Sequence, residues 1–215
     1  MSCQAARNSY LNKPEILLRI AKDVIQAGAF GIRAEGLKNL AIMHKEINVP
    51  IITLVKSKFE DGSVCITRNF SQIEELIKLG AKLIAVDGTD RFKDGFKGPK
   101  LISYVKKIFP EVKIIADIST LNEANSSIQS GADYVATTLH GYTPWTHTKQ
   151  NKMFDFHFLD SLCKEIEPYN LIAEGRISEP NILSKIFKYN LHSVVVGKAI
   201  TDPSYLTSCF LNQKL

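Results

Sequence analysis

The 215-residue chain carries 27 Lys and Arg against 22 Asp and Glu, a formal charge of +5, and 45% of its residues are hydrophobic. That length is one domain by the usual size prior, residues 1–215, with enough chain to bury a sizeable core. Its balance of apolar and charged residues excludes a disordered tail or a fibre. The basic residues are spread along the chain with no cluster interleaved by aromatics, so the charge suits a small anionic partner better than a nucleic-acid face.

No stretch reaches the roughly 18 apolar residues of a membrane-spanning helix, and the N-terminus carries no signal-peptide pattern. Cys3, Cys65, Cys163 and Cys209 are isolated from one another, which fits reduced thiols and argues against both a disulfide framework and a zinc site. A cytoplasmic location is therefore expected, with no membrane partner.

Taken in order, the chain opens on a stub of a strand at Ser2-Cys3-Gln4. A helical stretch with Leu17, Ile20 and Val24 on one face follows, ending at Gly28-Ala29. Similar junctions recur at Gly80-Ala81 and Gly131-Ala132, 52 and 51 residues further on. Glycine just past a helix supplies the left-handed conformation that turns the chain back. With apolar segments at PIITLVK and VKIIAD halving each interval, the chain counts out βα units of about 26 residues.

The expected strands are Ala29–Ala34, Ile51–Val55, Leu83–Val86, Lys113–Ala116, Tyr134–Thr137, Leu171–Ala173 and Ser193–Val196. The last six are continuously apolar, as suits parallel strands covered on both faces. Between them run helical patterns such as Ile73, Leu76 and Ile77, then Ile182, Leu183, Ile186 and Phe187. With the opening stub, eight units close most naturally into an α/β fold consisting of a single (β/α)8 TIM barrel of the phosphate-binding type, its first strand short. An open doubly wound sheet is the competing arrangement.

Polar residues gather where these strands end, which in a barrel is the catalytic mouth. Lys56 follows PIITLV, Asp87 follows LIAV, Asp117 follows KIIA, Glu174 follows LIA, and Gly197 follows SVVV; Gln4 and Arg33 hold the corresponding places on the first two strands. Any one of these can be a solvated loop opener, and their concurrence is what points to a site. Glu174-Gly175-Arg176 and Gly197-Lys198 follow strands seven and eight, where barrels hold phosphate on backbone N–H groups. His44, His140, His147, His157 and His192 show no metal-ligand spacing, though His140 lies in the loop after strand six. Pro144-Trp145 in that loop suits either a lid or a packed loop. No dinucleotide, Walker or serine-hydrolase motif occurs, so neither metal nor redox cofactor is expected.

The segments SCQA, GIRAEG, VPIITLVK, IAVDGTDR, ADIST, TTLHGYT, IAEGRIS and VVVGKAIT together resemble the N-acetylmannosamine-6-phosphate 2-epimerase family of bacterial sialic acid catabolism. The resemblance runs over nearly the whole chain in the family's order. It implies an isomerase that interconverts N-acetylmannosamine 6-phosphate and N-acetylglucosamine 6-phosphate, with Lys56 and Glu174 catalytic. It further implies substrate contacts at Gln4, Arg33 and Asp117, with Gly175, Arg176, Gly197 and Lys198 on the phosphate. The implied partner is a small phosphorylated amino sugar, and a homodimer is compatible with the pattern.

The departures from the family pattern are a first strand without its usual apolar lead-in, Asp202 and Ser57 at positions where arginine is common, and His140 in place of serine. If Asp202 reaches the phosphate it repels the dianion; as the residue before Pro203 it can instead cap a helix.

Such an epimerisation removes the carbon-2 proton of the open-chain sugar, α to the aldehyde, and returns it on the other face. It needs a base, a means of stabilising the enolate oxygen, and a handle on the substrate. A lysine at its unperturbed pKa of about 10.4 is almost wholly protonated at neutral pH, so Lys56 serves only if burial and the charge of Arg33 lower that value. The same barrel can host another sugar-phosphate isomerase, an aldolase with Lys56 as Schiff-base nucleophile, or a non-catalytic sugar-phosphate binder.

Overall fold

The computed structural model describes residues 1–147 and 153–212. Among the described residues ten strands are formed: β1 (Ser2–Cys3), β2 (Ile32–Glu35), β3 (Ile51–Leu54), β4 (Lys56–Lys58), β5 (Val64–Ile66), β6 (Leu83–Asp87), β7 (Lys113–Asp117), β8 (Tyr134–Ala136), β9 (Leu171–Glu174) and β10 (Ser193–Val195). Eight of them make one all-parallel sheet in the order β1-β2-β3-β6-β7-β8-β9-β10, while β4 and β5 pair antiparallel as a separate hairpin. The sheet closes where the Ser2 N–H donates to the Val196 carbonyl at 2.8 Å. The Thr201 hydroxyl adds a bond to the Ser2 carbonyl at 2.8 Å.

A helix follows each barrel strand: α1 (Pro14–Gln26), α2 (Leu37–Glu46), α3 (Phe70–Lys78), α4 (Gly98–Ile108), α5 (Leu121–Gln129), α6 (Phe156–Cys163), α7 (Pro180–Ile186) and the short α8 (Lys198–Thr201). A further helix, α9, spans Pro203–Leu211. The barrel is thus the architecture expected, and the open sheet is not. Strand one is as short as its sequence suggested, with two residues paired to Arg33 and Ala34.

The turns follow the glycines. Gly28, Gly80 and Gly131 all take positive φ, between 91° and 107°, in the region where a Cβ is costly. The Gly28, Gly80 and Gly131 N–H groups each bond back to a carbonyl near the end of the preceding helix. Helix starts are set by side-chain caps. Thr120 and Glu123 form a reciprocal capping box on α5, and Asn69 and Asp155 cap α3 and α6. Asp202 accepts the Tyr205 N–H at 3.0 Å and caps α9, an interaction of about 1 kcal/mol. The helix-capping reading of Asp202 is the one its geometry follows.

Packing explains why the strands are apolar on both faces. Along β7, Ile114 and Ala116 pack outward with the helices, while Ile115 points into the barrel. Along β6, Ile84 and Val86 face the helices and Ala85 the interior. The inner layer joins Leu54, Ala85, Ile115, Ala136, Ile172 and Val195. Residues alternate faces along a strand, so the side chains that top this layer two positions on are Lys56, Asp87, Asp117 and Glu174. On β2, where Ile32 and Ala34 face the helices, Arg33 and Glu35 turn inward. The helix faces hold too, with Leu17, Ile73, Leu76 and Ile186 buried. Phe187 departs from this pattern. It opens a 3-10 turn beyond α7 and lies 63% exposed, because the change of helical pitch carries it off the buried stripe.

Candidate active site at the barrel mouth

Arg33 is the centre of the mouth. Its guanidinium is buried, with Nη2 2.5 Å from Asp117 Oδ2 and Nη1 2.9 Å from Glu174 Oε2. Burial works to lower the Arg33 pKa, but the two carboxylates outweigh it and hold the group above its ordinary value. The Thr138 hydroxyl lies between the same two acids, 2.7 Å from Asp117 Oδ1 and 3.2 Å from Glu174 Oε2. Thr137 locks the backbone at this level, its hydroxyl donating to the Glu174 carbonyl at 2.8 Å. The acids from β7 and β9 are thereby fixed to β2 and to the turn after β8.

Glu174 retains a narrow opening to solvent, with 11% of its side chain exposed, whereas Asp117 has none. Desolvation pushes the Glu174 carboxyl above its usual range and the negative Asp117 adds to that, against the opposing charges of Arg33 and Lys56. Lys56 stands at the base of the hairpin, paired through its backbone with Ile66. Its side chain keeps exposed surface at the mouth. Crowding by protein still lowers its pKa, chiefly by desolvation and then by the Arg33 charge, with Lys198 contributing and Glu35 and Glu174 opposing. The two groups are thus shifted toward one another.

The other expected site residues divide. Gln4 follows β1 and donates to the Ser2 hydroxyl at 3.0 Å, while its buried Oε1 has no partner among the described residues. Gly197 begins α8 within 3.4 Å of Ser2, measured from where a side chain would start, and Lys198 follows it close enough to act on Lys56. Gly175 and Arg176 make a left-handed turn at φ 101° and 56°. That turn directs the Arg176 side chain to the His140 carbonyl at 2.7 Å and over the Tyr142 ring at 4.4 Å. Its guanidinium is therefore occupied by the loop after β8.

His140 itself is structural in its contacts. Nδ1 meets the Ser119 carbonyl at 2.8 Å, Nε2 meets Asp155 at 3.1 Å, and the ring stacks on Phe158. Trp145 bonds the Ser119 hydroxyl at 3.1 Å while its ring stays half exposed. Asp87 is wholly buried and engaged by Thr89 and Arg91.

Two contributors escaped the sequence reading. Glu35 receives the Lys56 N–H at 3.4 Å; its inward position could have been inferred from its alternation with Arg33. Thr138 carried no signal, because a threonine after a strand is ordinary. A cavity of about 550 Å³ lies beside the mouth, lined among others by Phe59, Arg91, Phe92 and Pro144. The charged cluster contributes none of its walls. Among the described residues, no group of three His, Cys, Asp or Glu side chains is placed to hold a metal, and no helix is long and apolar enough to cross a membrane.

A closed parallel barrel with Lys56, Arg33, Asp117 and Glu174 gathered at one mouth is an enzyme of the (β/α)8 class. The chain belongs to the N-acetylmannosamine-6-phosphate epimerase family: residues 17–214 match the family model described as "NanE: Putative N-acetylmannosamine-6-phosphate epimerase". A relative from Clostridioides difficile (strain 630), named "Putative N-acetylmannosamine-6-phosphate 2-epimerase", is 39% identical over 98% of this chain and 93% of its own length. One of the same name from Oceanobacillus iheyensis is 36% identical over 98% and 95%. The solved structure of the N-acetylmannosamine-6-phosphate 2-epimerase from Clostridium perfringens superposes with a TM-score of 0.88 at 35% identity, covering 98% of this chain and 90% of that one.

Proposed function

We propose that this chain interconverts N-acetylmannosamine 6-phosphate and N-acetylglucosamine 6-phosphate by moving the proton at carbon 2. The observation that carries the reading is the clasp of Arg33 by Asp117 and Glu174 at the barrel mouth that Lys56 also tops, in a chain of this family.

Lys56, in its neutral form, removes the carbon-2 proton. The electrons of that C–H bond pass into the C1–C2 bond, and those of the carbonyl π bond move onto the aldehyde oxygen. Glu174, its carboxyl held above the usual range, supplies a proton to a sugar oxygen and so limits the charge that develops there. Asp117, held by Arg33 and Thr138, is a fixed acceptor for a hydroxyl or amide of the sugar. Gln4, with its buried carbonyl oxygen unpartnered, is suited to an N–H of the same substrate. The turns at Gly175–Arg176 and Gly197–Lys198 bind phosphate through backbone N–H groups and the Lys198 ammonium. The Arg176 side chain supports its loop instead.

The test is to incubate the protein with N-acetylmannosamine 6-phosphate, and separately with the unphosphorylated sugar, and follow both carbon-2 epimers. Conversion of the phosphorylated sugar, in both directions and with much weaker turnover of the other, is expected. A protein that binds the phosphorylated sugar without converting it would refute the proposal.

A further inference from the structure

The barrel strands fix Arg33, Asp117 and Glu174 directly, but Lys56 is the first residue of the β4–β5 hairpin, which lies outside the sheet. Three cross-strand pairs, Lys56 with Ile66, Ser57 with Cys65 and Lys58 with Val64, hold it together. An isolated two-stranded hairpin is marginal in water, so the place of Lys56 depends on what ties the hairpin to the barrel. At its base the tie is Thr67, whose N–H and hydroxyl bond the Val55 carbonyl and N–H at 2.8 and 3.0 Å.

Farther out, the neighbouring loop supplies the ties: Lys93 donates to the Lys58 carbonyl at 3.1 Å, and a buried arginine makes the larger set of contacts. Arg91 Nη1 donates to the Val64 carbonyl at 2.9 Å and the Ser63 hydroxyl at 3.0 Å, and its guanidinium lies 4.1 Å over the Phe59 ring. The opposite side of the same fork faces the barrel. Nη2 meets Asp87 Oδ2 at 2.7 Å and Nε meets the Thr89 hydroxyl at 3.0 Å. Asp87 is the last residue of β6, and its second oxygen is held by the Thr89 hydroxyl at 2.5 Å. Arg68, buried just after β5, returns the connection by donating to the Arg91 and Phe96 carbonyls. The end of β6 is thus joined through one planar group to the start of β5 and to the turn of the hairpin.

We propose that Asp87, Thr89 and Arg91 act as a rivet that holds the hairpin over the barrel mouth and so positions the Lys56 amine for proton transfer. Arg91 is in this account a positioning residue, acting through the hairpin without touching substrate. Lys56 faces Arg33 and Glu35 from β2, Glu174 from β9 and Lys198 from α8. A hairpin that swings outward hydrates the amine and takes it away from Arg33, and both changes restore it toward an ordinary lysine. The inference rests on the proposed role of Lys56, but its central measurement does not.

That measurement is the pH dependence of Lys56 acetylation in the free protein, read residue by residue by mass spectrometry, for the parent and for Arg91→Ala, Arg91→Lys and the milder Phe59→Ala/Ser63→Ala pair. The midpoint should rise by about one pH unit in Arg91→Ala, leaving about tenfold less neutral amine at a given neutral pH. The hairpin-tip pair should shift it in the same direction. Arg91→Lys keeps the Asp87 partner but loses the fork, so it should fall between. Turnover should drop about tenfold near neutrality with the Michaelis constant changed less than threefold, and the loss should shrink as pH rises. An unmoved Lys56 midpoint in Arg91→Ala and in the hairpin-tip pair overturns the rivet. If the midpoint shifts but Lys56→Ala remains active, the rivet stands and the role given to Lys56 fails.

Discussion

Lys56→Ala should lower turnover by about two to four orders of magnitude, the usual cost of removing an essential proton-transfer group, while the fold stays intact. Lys56 enters the hairpin through backbone pairing, and among the described residues its ammonium makes no ion pair. Exposed positions of this kind change stability by roughly half a kilocalorie per mole or less. Steady-state kinetics together with a urea melt separate the two quantities. In the parent, activity should fall as pH drops through the lowered pKa of Lys56, because the base must be neutral, and that limb should disappear from the residual activity of the variant. Activity within threefold of the parent would move the base to another residue.

The second large effect concerns stability. Arg33→Met leaves Asp117 and Glu174 buried without their shared counter-charge, and breaking a buried pair in this way costs about 3–5 kcal/mol. The loss has a defined pH dependence. Without Arg33 the already raised Glu174 carboxyl moves further up in the folded state, while the unfolded chain keeps ordinary carboxyls. A folded pKa above the unfolded one contributes stability that is fully present below the unfolded value and is lost as pH rises through the folded value. The deficit of Arg33→Met relative to the parent should therefore be smaller near about pH 4 than at neutrality. Urea melts at the two pH values measure it. Equal deficits at both would mean that lost packing, and not uncompensated charge, sets the cost.

The frame was legible because it depends on local signals. Three glycines just past helices and apolar runs too continuous for a one-faced sheet count out the barrel. The inward position of Lys56, Asp117 and Glu174 then follows from alternation alone. Contacts that depend on which strands become neighbours were not legible. Arg33 meets acids 84 and 141 positions away only because closure brings β2, β7 and β9 to one mouth.

The contact of the Arg176 side chain with Tyr142 has no signal in the sequence, because it depends on the left-handed backbone at that residue. The β4–β5 hairpin did have a signal in Asp61-Gly62, with Gly62 at φ 81°, the kind of pair that favours a tight turn. Its polar, exposed first strand nonetheless reads as loop. Asp202 could be read either way from sequence, and the Tyr205 N–H at 3.0 Å decides for the helix cap.

The central claim is that the carbon-2 proton leaves the sugar for a protein base that exchanges with solvent. Proton NMR of N-acetylmannosamine 6-phosphate with the protein in heavy water tests it most directly. The account predicts that N-acetylglucosamine 6-phosphate appears with deuterium at carbon 2 and nowhere else on the ring, and that the signal of that proton fades in step with conversion. Formation of the glucosamine isomer with its original carbon-2 hydrogen fully retained would contradict it.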